Sequence, residues 1–566
     1  MNANKSSVIN TSNLAFLVIA VFIVLYLVPL EFRPLWIPDE TRYAEIPREM
    51  LLSGDWLVPK INDLRYFEKP PMGYWLSAIS IWAFGENAFA VRLSSAISAG
   101  LTGYFVFLLA LSAGFSRPVS YTACFIFLGF LAVYLGGTFS ILDGPLTLFL
   151  TAGISWFYVA TKTGRYAYWL LSGLALCLAF LTKGFLAFAI PVIVLLPWIL
   201  WIKRAQILFR QSWLVIATAL VVALPWAIAI HMREPDFWNY FFWIEHIKRF
   251  SSGSAQHGAP FYYFMMYFPL MAFPWVSYIP AAISGLRQLN TDHDKNLIKL
   301  CILWIVIPFV FFSTSNGKLA TYILPVFPPL AILLSAGLHQ YLNLDRRKLV
   351  NLATIVNGVI FLVLLTALIL SKTIPAVRDV YSDEYGKFGL ISGALLASIV
   401  MSGLALFCKS NHKLMVLIIS MFFPVLFVFH MAIPVATYHH KAPGPLLEQY
   451  KHLATDDAVI ITSSLLIRAV SWYFKREDIY LMEKGEVEYG LNYPDSQYKF
   501  LNMDSMARLV DENIHEQPLL FICKPECDPK MESLFESEQK QKHVYGNFVL
   551  IYVPGGKTSS GPKSVD

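Results

Sequence analysis

Long apolar runs separated by short polar connections fill most of the first 434 residues of the chain. About 20 apolar residues suffice to cross a bilayer as a helix, and a helix satisfies its own backbone hydrogen bonds in lipid. The pattern therefore predicts a multi-pass α-helical membrane protein with about 13 transmembrane helices. They are expected at residues 13–30, 88–114, 119–138, 145–161, 167–182, 184–202, 211–231, 263–286, 296–314, 320–340, 348–371, 388–408 and 413–434.

The pattern changes after residue 434. Short β-branched runs such as AVIITSSLL, PLLFICK and FVLIYVP alternate there with charged stretches. Apolar runs of this length are typical of strands, and the stretches between them are typical of helices and loops. We therefore predict two domains, a transmembrane domain over residues 1–434 and a soluble α/β domain over residues 435–566.

The composition supports the membrane assignment. Hydrophobic residues make up 56% of the chain, and the mean hydropathy is +0.55. These values exclude a soluble protein. The first apolar segment lacks a small-residue cleavage site and runs on to Trp36, so we predict a retained anchor and not a removed signal peptide.

Basic residues predict the orientation of the bundle. Alternate connections carry Lys or Arg, beginning with Arg117, and the connection 372–387 departs from this rule. The positive-inside rule then puts the loops 31–87 and 232–262 and the C-terminal domain on the outer face. The same bias explains most of the net charge of +6, so we expect no nucleic-acid partner.

The loop over residues 31–87 is unusually long and polar for a connection between two spans. From Trp36 it reads WIPDETRYAEIPREMLLSGDWLVPKINDLRYFEKPPMGYW, with charges of both signs. A simple connection needs only a handful of residues, and longer loops are frequently functional. We therefore expect the chemistry of this protein in this loop, at the membrane surface.

Parts of this loop also have purely structural interpretations. Asp39 precedes the helical pattern TRYAEIPREML and fits an N-cap, and Pro47 is expected to kink or divide that helix at Ile46. Glu68 and Lys69 precede two prolines and fit a surface ion pair that adds little stability. These interpretations stay open beside the functional one.

Three ionisable residues lie at the ends of predicted spans. They are Asp143 in SILDGPL, Lys183 in FLTKGFL and Lys318 in STSNGKLATYILP. A charge at the edge of a bilayer is unfavourable unless it is paired or hydrated, which makes such residues functional candidates. The predicted orientation puts all three on the outer rim, on the side of the 31–87 loop. The alternative is that they merely mark helix ends.

Several phrases of the sequence resemble a known family. In chain order they are PDETRYAEIPREML, DWLVPKINDLRYFEKPPMGYW, EHIKRF, AQHGAPFYYF, NGKLATYILP and YGLNYPD. They resemble the bacterial aminoarabinose transferases that modify lipid A, which are C-type glycosyltransferases related to the protein O-mannosyltransferases. The resemblance covers about residues 34–500, whereas 503–566 carries no matching motif.

The resemblance implies a C-type glycosyltransferase fold and a reaction. The expected reaction transfers 4-amino-4-deoxy-L-arabinose from undecaprenyl phosphate to a lipid A phosphate, on the periplasmic side of the bacterial inner membrane. It would give resistance to polymyxin and other cationic peptides. The resemblance implies that the catalytic residues are Asp39, Glu68 and Asp143. It implies substrate contacts by Arg42, Tyr43, Tyr66, Lys69, Lys183, His246, Arg249 and Tyr322.

The chemistry of the substrates fits these residue types. The leaving group is a polyprenyl phosphate that gains charge as the bond breaks, so cations such as Lys69 and Arg249 would stabilise it. The acceptor phosphate has a second pKa of about 6 and needs no strong base. We therefore expect Asp39 to orient the acceptor or the sugar amine, and to stabilise oxocarbenium character.

No cofactor is expected to be required, although a divalent metal remains an alternative. Glu68 with His246 or His257 would supply its ligands, but the positive Lys69 beside Glu68 opposes a tight cation site. The expected partners are the lipid-linked amino sugar, lipid A and membrane lipids, and the chain is expected to be a monomer.

The two cysteines outside the predicted spans are Cys523 and Cys527, in the segment CKPEC. An oxidising compartment would favour a disulfide between them, whereas the short spacing across a proline disfavours its geometry. The pairing stays open.

Two other functions are compatible with the sequence. A sibling transferase could move a different sugar or use a different acceptor, because sugar choice depends on a few contacts. A lipid-carrier transporter or flippase would also need many spans and charges at their ends. Transporters usually show repeated halves and broken helices, and we expect neither here.

Overall fold

The computed structural model describes residues 11–248, 258–289, 295–374, 380–513, 516–525, 534 and 540–555. The chain forms two compact units. The first, here called the membrane unit, comprises Met1–Phe32, Glu68–Gly73 and Arg92–Ala432. The second, here called the α/β unit, comprises Arg33–Phe67, Tyr74–Val91 and Ile433–Asp566. Most of the 31–87 segment therefore belongs with the C-terminal part of the chain.

Ten helical segments in the described part of the chain are long and apolar enough to cross a membrane. They are Leu14–Glu31, Ala88–Ser112, Asp143–Thr163, Tyr166–Lys183, Ser212–Arg233, Lys295–Thr314, Ala320–Asn343, Lys348–Lys372, Tyr385–Phe407 and Asn411–Val428. The predicted multi-pass helical membrane protein is confirmed.

Two further predicted spans are broken helices. Arg117–Leu128 and Leu131–Thr138 meet at 66°, and Tyr263–Met271 and Trp275–Leu286 meet at 95°. Pro274 lies at the second break, where it removes a backbone donor. The amide of Leu131 donates to the carbonyl of Phe273 at 3.1 Å, so a backbone hydrogen bond joins the two breaks. Our expectation that broken helices are absent was wrong.

The number of spans is therefore ten, or twelve if each bent pair counts as one span, among the residues that the structure describes. The helix Leu186–Trp201 corresponds to the span predicted at 184–202 but has only 16 residues. The count of about 13 is not confirmed. Hydropathy locates apolar runs, whereas their bends depend on packing against neighbours.

The 31–87 segment is regular structure and not an irregular loop. It contains the helices Asp39–Ser53 and Met72–Phe84 and a two-stranded hairpin of β1 (Lys60–Ile61) and β2 (Leu64–Arg65). The prediction of a helix after Pro38 is confirmed. Gly54 ends this helix with a φ of 69°, a conformation that glycine adopts without strain.

Pro47 does not divide this helix, and Asp39 is not its N-cap. Pro47 was expected to kink or divide the helix at Ile46, and the helix is continuous through it. Proline inside a helix costs about 3 kcal/mol, and burial of every residue from Glu40 to Met50 opposes this cost. Asp39 is the first helical residue and not the N-cap, and no side chain caps the helix start at Pro38.

The C-terminal part of the α/β unit contains a five-stranded sheet in the order β4-β3-β5-β7-β6. The strands are β3 (Val459–Thr462), β4 (Tyr480–Leu481), β5 (Leu519–Cys523), β6 (Gln541–Tyr545) and β7 (Phe548–Val553). β3 is parallel to β4 and β5, whereas β7 is antiparallel to β5 and β6. The predicted small α/β domain is confirmed.

Five short helices accompany this sheet in the described C-terminal region. They are Val435–Lys441, Gly444–Gln449, Ile467–Phe474, Glu488–Leu491 and Met503–Asn513. Every residue of β5 is buried, as expected for a central strand with both faces covered. The helix Met503–Asn513 packs its Met506 and Val510 against Phe521 of that strand.

The helix Asp39–Ser53, here called the first-loop helix, and the C-terminal region share a core. Trp472 packs in one buried cluster with Leu35, Ala44 and Ile81. Beside it, the side-chain amide of Asn62 donates to the carbonyl of Ile479 at 2.7 Å and accepts from its amide at 3.1 Å. Segments separated by about 400 residues thus form one folded unit.

Candidate functional site

Asp39 and Arg42 form an ion pair at the start of the first-loop helix. One helical turn separates them, and Arg42 Nη1 lies 3.3 Å from Asp39 Oδ1. The Asp39 side chain is 49% exposed, whereas that of Arg42 is 9% exposed. The carboxylate can therefore contact a substrate while a buried guanidinium limits its orientation.

Arg42 has a second acidic partner far away in the sequence. Its Nη2 donates to Glu486 Oε2 at 2.6 Å. Glu486 Oε2 also accepts a short hydrogen bond from Arg468, whose side chain is fully buried. Sequence reasoning missed both residues. The only available signal was the position of Glu486 just before the matched phrase YGLNYPD.

Burial alone would lower the pKa of the Arg42 guanidinium. Tyr66 and Glu486 more than offset this and hold that pKa well above its usual value. The guanidinium also lies 5.7 Å from the centre of the Tyr66 ring, in cation–π range. Arg42 therefore stays charged, and it contacts Asp39 and Tyr66, two other residues that the resemblance implies for the site.

Aromatic and ionic contacts support the same helix start. The ring centres of Tyr43 and Tyr74 are 5.8 Å apart. Arg33 holds Glu40 through two hydrogen bonds, of 2.5 Å to Oε2 and 2.8 Å to Oε1. Such bidentate pairs fix geometry as well as charge, so the first turn that carries Asp39 is held in place.

Asp143 and Lys183 form a second ion pair, within the membrane unit. Asp143 begins the helix Asp143–Thr163, and Lys183 ends the helix Tyr166–Lys183. The Nζ atom of Lys183 lies 2.6 Å from Oδ1 of Asp143. Thr321 donates to Asp143 Oδ2 at 3.1 Å, and Lys183 Nζ lies 4.5 Å from the centre of the Tyr322 ring. Three predicted site residues therefore meet here, and Thr321 was not foreseen.

Glu68 and Lys69 also belong to the membrane unit. The Lys69 ammonium donates to the backbone carbonyl of Glu68 at 2.8 Å. Glu68 is buried, at 8% exposure, so the alternative of a surface ion pair was wrong.

Lys318 has a structural explanation. Its ammonium donates to the carbonyl of Ala259 at 2.8 Å and, through a short bond, to that of Ser315. Gly258 and Gly317 pair through an isolated bridge beside it. Lys318 thus ties two connections of the membrane unit together.

Four residues named in the sequence analysis lie wholly or partly outside the described part of the chain. Arg249, His257 and Cys527 lie outside the described residues, and so does the side chain of His246 in the π-helix Asn239–Lys248. No group of three His, Cys, Asp or Glu side chains in the described ranges could hold a metal ion. The metal site, the disulfide and the proximity of Asp39 to Lys69 and Arg249 therefore stay predictions.

The two clusters share one chemical design. In each, a carboxylate begins a helix and pairs with a cation, and that cation lies beside an aromatic ring. Carboxylates held in this way can bind hydroxyl or ammonium groups of a sugar through charge-assisted hydrogen bonds.

Two family models match the sequence. The model for dolichyl-phosphate-mannose-protein mannosyltransferase matches residues 11–241. The model for the C-terminal domain of the arabinosyl transferase ArnT matches residues 438–552.

Known proteins are similar along nearly the whole chain. A protein of Shewanella sediminis, named undecaprenyl phosphate-alpha-4-amino-4-deoxy-L-arabinose arabinosyl transferase, is 40% identical over 95% of this chain and 98% of its own length. A protein of Photorhabdus laumondii with the same name is 36% identical, with 95% and 98% covered.

The fold has a solved counterpart. The crystal structure of ArnT from Cupriavidus metallidurans bound to undecaprenyl phosphate superposes with a TM-score of 0.79 at 22% identity, over 97% of this chain and 99% of that one. The predicted C-type glycosyltransferase fold is confirmed. Because the similarity to the Shewanella and Photorhabdus proteins covers nearly the whole chain, this chain belongs to the undecaprenyl phosphate-4-amino-4-deoxy-L-arabinose arabinosyl transferases, a family of membrane glycosyltransferases.

Proposed function

We propose that this chain transfers 4-amino-4-deoxy-L-arabinose from undecaprenyl phosphate to a phosphate of lipid A. The observation that carries the proposal is the 40% identity to an enzyme named for this donor, over 95% of the chain. The added amino sugar masks a negative charge on lipid A and so weakens the binding of polymyxin and other cationic peptides.

The reaction takes place at the periplasmic face of the inner membrane. The distribution of Lys and Arg among the connections supports this orientation, because cytoplasmic connections are enriched in them. Both substrates are lipids, so a site at the rim of the spans would let each keep its chains in the bilayer.

Asp39 orients the sugar or the acceptor in this proposal. Its half-exposed carboxylate is accessible, and Arg42 restricts its rotamers. Transfer passes through a state with positive charge on the sugar ring, which a fixed carboxylate stabilises. Within the membrane unit, Asp143 is held by Lys183 and Thr321, and we expect it to bind a polar group of a substrate.

Lys69 and Arg249 stabilise the departing polyprenyl phosphate, and Glu68 lies beside Lys69 in the sequence. No metal is required in this scheme, because the cationic side chains supply the positive charge. A metal held by Glu68 with His246 or His257 remains the alternative.

A sibling transferase is the second candidate. It would use the same carrier with another sugar or acceptor, since a few contacts decide the sugar. The transporter alternative is excluded by membership in a transferase family.

Mass spectrometry of lipid A tests the function. Lipid A is isolated from a strain that lacks aminoarabinose transfer, with this chain supplied or absent. We expect the mass of one aminoarabinose to be added at a phosphate only when the chain is present. A different added mass, or aminoarabinose on another acceptor, would reject the proposal.

The Asp39→Asn variant tests the role of the carboxylate. We expect kcat to fall by about 100-fold or more, because an oriented charge at the reacting centre is lost. Thermal unfolding is expected to match the wild type, since the side chain is half exposed. Near-normal transfer by the folded variant would refute the role.

The Lys183→Met variant tests the second cluster. It removes the cation that holds Asp143, and we expect transfer to fall by about 10-fold to 100-fold. Lys162→Met is the matched control, because Lys162 lies at the opposite end of the Asp143–Thr163 helix. Equal activity of the two variants would argue against a role for this cluster.

A further inference from the structure

We infer that Arg468, in the C-terminal part of the α/β unit, is a positioning residue for the transfer reaction. It acts through Glu486 and Arg42 on Asp39. The inference rests on the proposed role of Asp39 and extends it, because it assigns a task to a region that carries no predicted site residue.

The four side chains form an unbroken series of contacts. Arg468 Nη2 donates to Glu486 Oε2, and Arg42 Nη2 donates to the same oxygen at 2.6 Å. Arg42 Nη1 then reaches Asp39 at 3.3 Å. Because both guanidinium groups share one carboxylate oxygen, Arg468 fixes the side-chain orientation of Glu486 that Arg42 encounters.

The two ends of the series differ in exposure. The Arg468 side chain is 1% exposed and that of Glu486 is 26% exposed, whereas Asp39 is half exposed. The buried end cannot contact a substrate, and the exposed end can. A contribution of Arg468 to transfer must therefore pass through the groups between them.

The charges explain what Arg468 contributes. With Arg468, two cations face two carboxylates, and the series is neutral. Without Arg468, Glu486 and Asp39 would compete for Arg42 alone. Glu486 already holds the shorter contact, at 2.6 Å against 3.3 Å, so Arg42 would move towards Glu486 and leave Asp39 without its orienting cation.

Stability alone does not account for this arginine. Among the described residues, none accepts a hydrogen bond from its Nε or Nη1, although both atoms are buried. Buried donors without partners are unfavourable, and an apolar side chain of similar size often serves a core as well as a buried ion pair. Positioning of Glu486 gives the buried charge a function.

Three variants test the inference. Arg468→Met removes the second cation, and we expect kcat to fall by about 10-fold with the KM for the lipid-linked donor unchanged within about 2-fold. Arg468→Lys keeps a cation and is expected to retain most of the activity. The double variant Arg468→Met/Glu486→Gln also removes the competing carboxylate, so Arg42 can return to Asp39. We expect its kcat to be at least about 3-fold higher than that of Arg468→Met.

If Arg468 served folding alone, the double variant would be less active than Arg468→Met, because it loses more native contacts. Thermal unfolding is measured for each variant, and Asp495→Asn is the matched control. It breaks an ion pair of 2.9 Å with Arg65 in the same unit, and that pair is not part of the series.

The inference is overturned if Arg468→Met keeps full activity, if its Tm falls by more than about 5 °C, or if the double variant is no more active than Arg468→Met. Failure of the proposed role of Asp39 would look different, because Asp39→Asn would then stay active whatever the Arg468 variants do. Failure of the proposed function would show in the wild type, as a missing or different mass added to lipid A.

Discussion

At the residue scale, Asp39 and Asp143 show how a sequence candidate becomes a site. Each is the first residue of its helix, where a carboxylate interacts favourably with the helix dipole. The structural alternatives treated them as helix ends only. The contacts of Arg42 and Lys183 give them a second property, a fixed orientation beside a cation.

Glu49 provides a prediction of pH dependence. Burial raises the pKa of Glu49 above its usual value of 4.5, and Glu45 and Glu477 add to the shift. The native state therefore binds this proton more tightly than the unfolded state, and the contribution of Glu49 to stability declines as the pH rises above about 4.5. We expect the Tm of Glu49→Gln to improve relative to the wild type between about pH 5 and about pH 8.

Asp495→Asn is the control for this measurement. Hydrogen bonds from Ser496 and Arg65 lower the pKa of Asp495 below 3.8, so its contribution is complete above that pH and is lost only on acidification. Its Tm difference from the wild type should stay constant over the same range. A constant difference for Glu49→Gln as well would contradict the prediction.

At the scale of elements, the β1–β2 hairpin depends on contacts with distant segments. Asn62 and Asp63 at its tip both have positive φ, a conformation that Asn and Asp tolerate better than most residues. Glu49 accepts hydrogen bonds from both of their amides. Lys499 donates to the carbonyls of Asn62 and Glu477, at 2.7 and 2.8 Å. Two strands of two residues each would not be stable alone.

Lys499→Met is therefore expected to loosen the hairpin. It leaves two carbonyls without their donor, which costs about 2 to 3 kcal/mol. Hydrogen exchange of the peptide around Asn62 should accelerate, and the Tm should fall. Lys451→Met is the control, because Lys451 is exposed in the same unit. Equal exchange in both variants would contradict the prediction.

At the scale of the molecule, the polar segment after the first span folds with the C-terminal region. Trp472, at 4% exposure, lies in the core that these segments share. The predicted domain boundary near residue 434 followed from composition, because hydropathy changes there. Composition cannot show that residues 33–67 and 74–91 join the later domain, since that depends on long-range packing.

Trp472→Ala is expected to destabilise the α/β unit by about 3 to 5 kcal/mol, because it leaves a large cavity against Leu35, Ala44 and Ile81. Limited proteolysis should then cut this unit before the membrane unit. Trp82→Ala is the matched control, since Trp82 is 77% exposed. Equal resistance of both variants would show that this core does not hold the unit together.

The sequence by itself determined the membrane class, the approximate position of each span, the α/β character of the C-terminal region and the family. These properties depend on local hydropathy, local periodicity and matched phrases, which a chain carries along its length. It also identified Asp143 and Lys183 as candidates, because charges at the ends of spans are unfavourable unless they are paired or hydrated. Asp39 and Arg42 followed from the resemblance of PDETRYAEIPREML to a known family.

The tertiary structure alone decided which groups meet. Arg42 reaches Glu486, 444 positions away, the helix continues through Pro47, and two spans bend. None of this follows from local pattern, because contacts between distant segments depend on how the whole chain packs. The burial and ion pairing that these long-range contacts produce outweigh local conformational preferences of a few kcal/mol, such as that of proline against a helix.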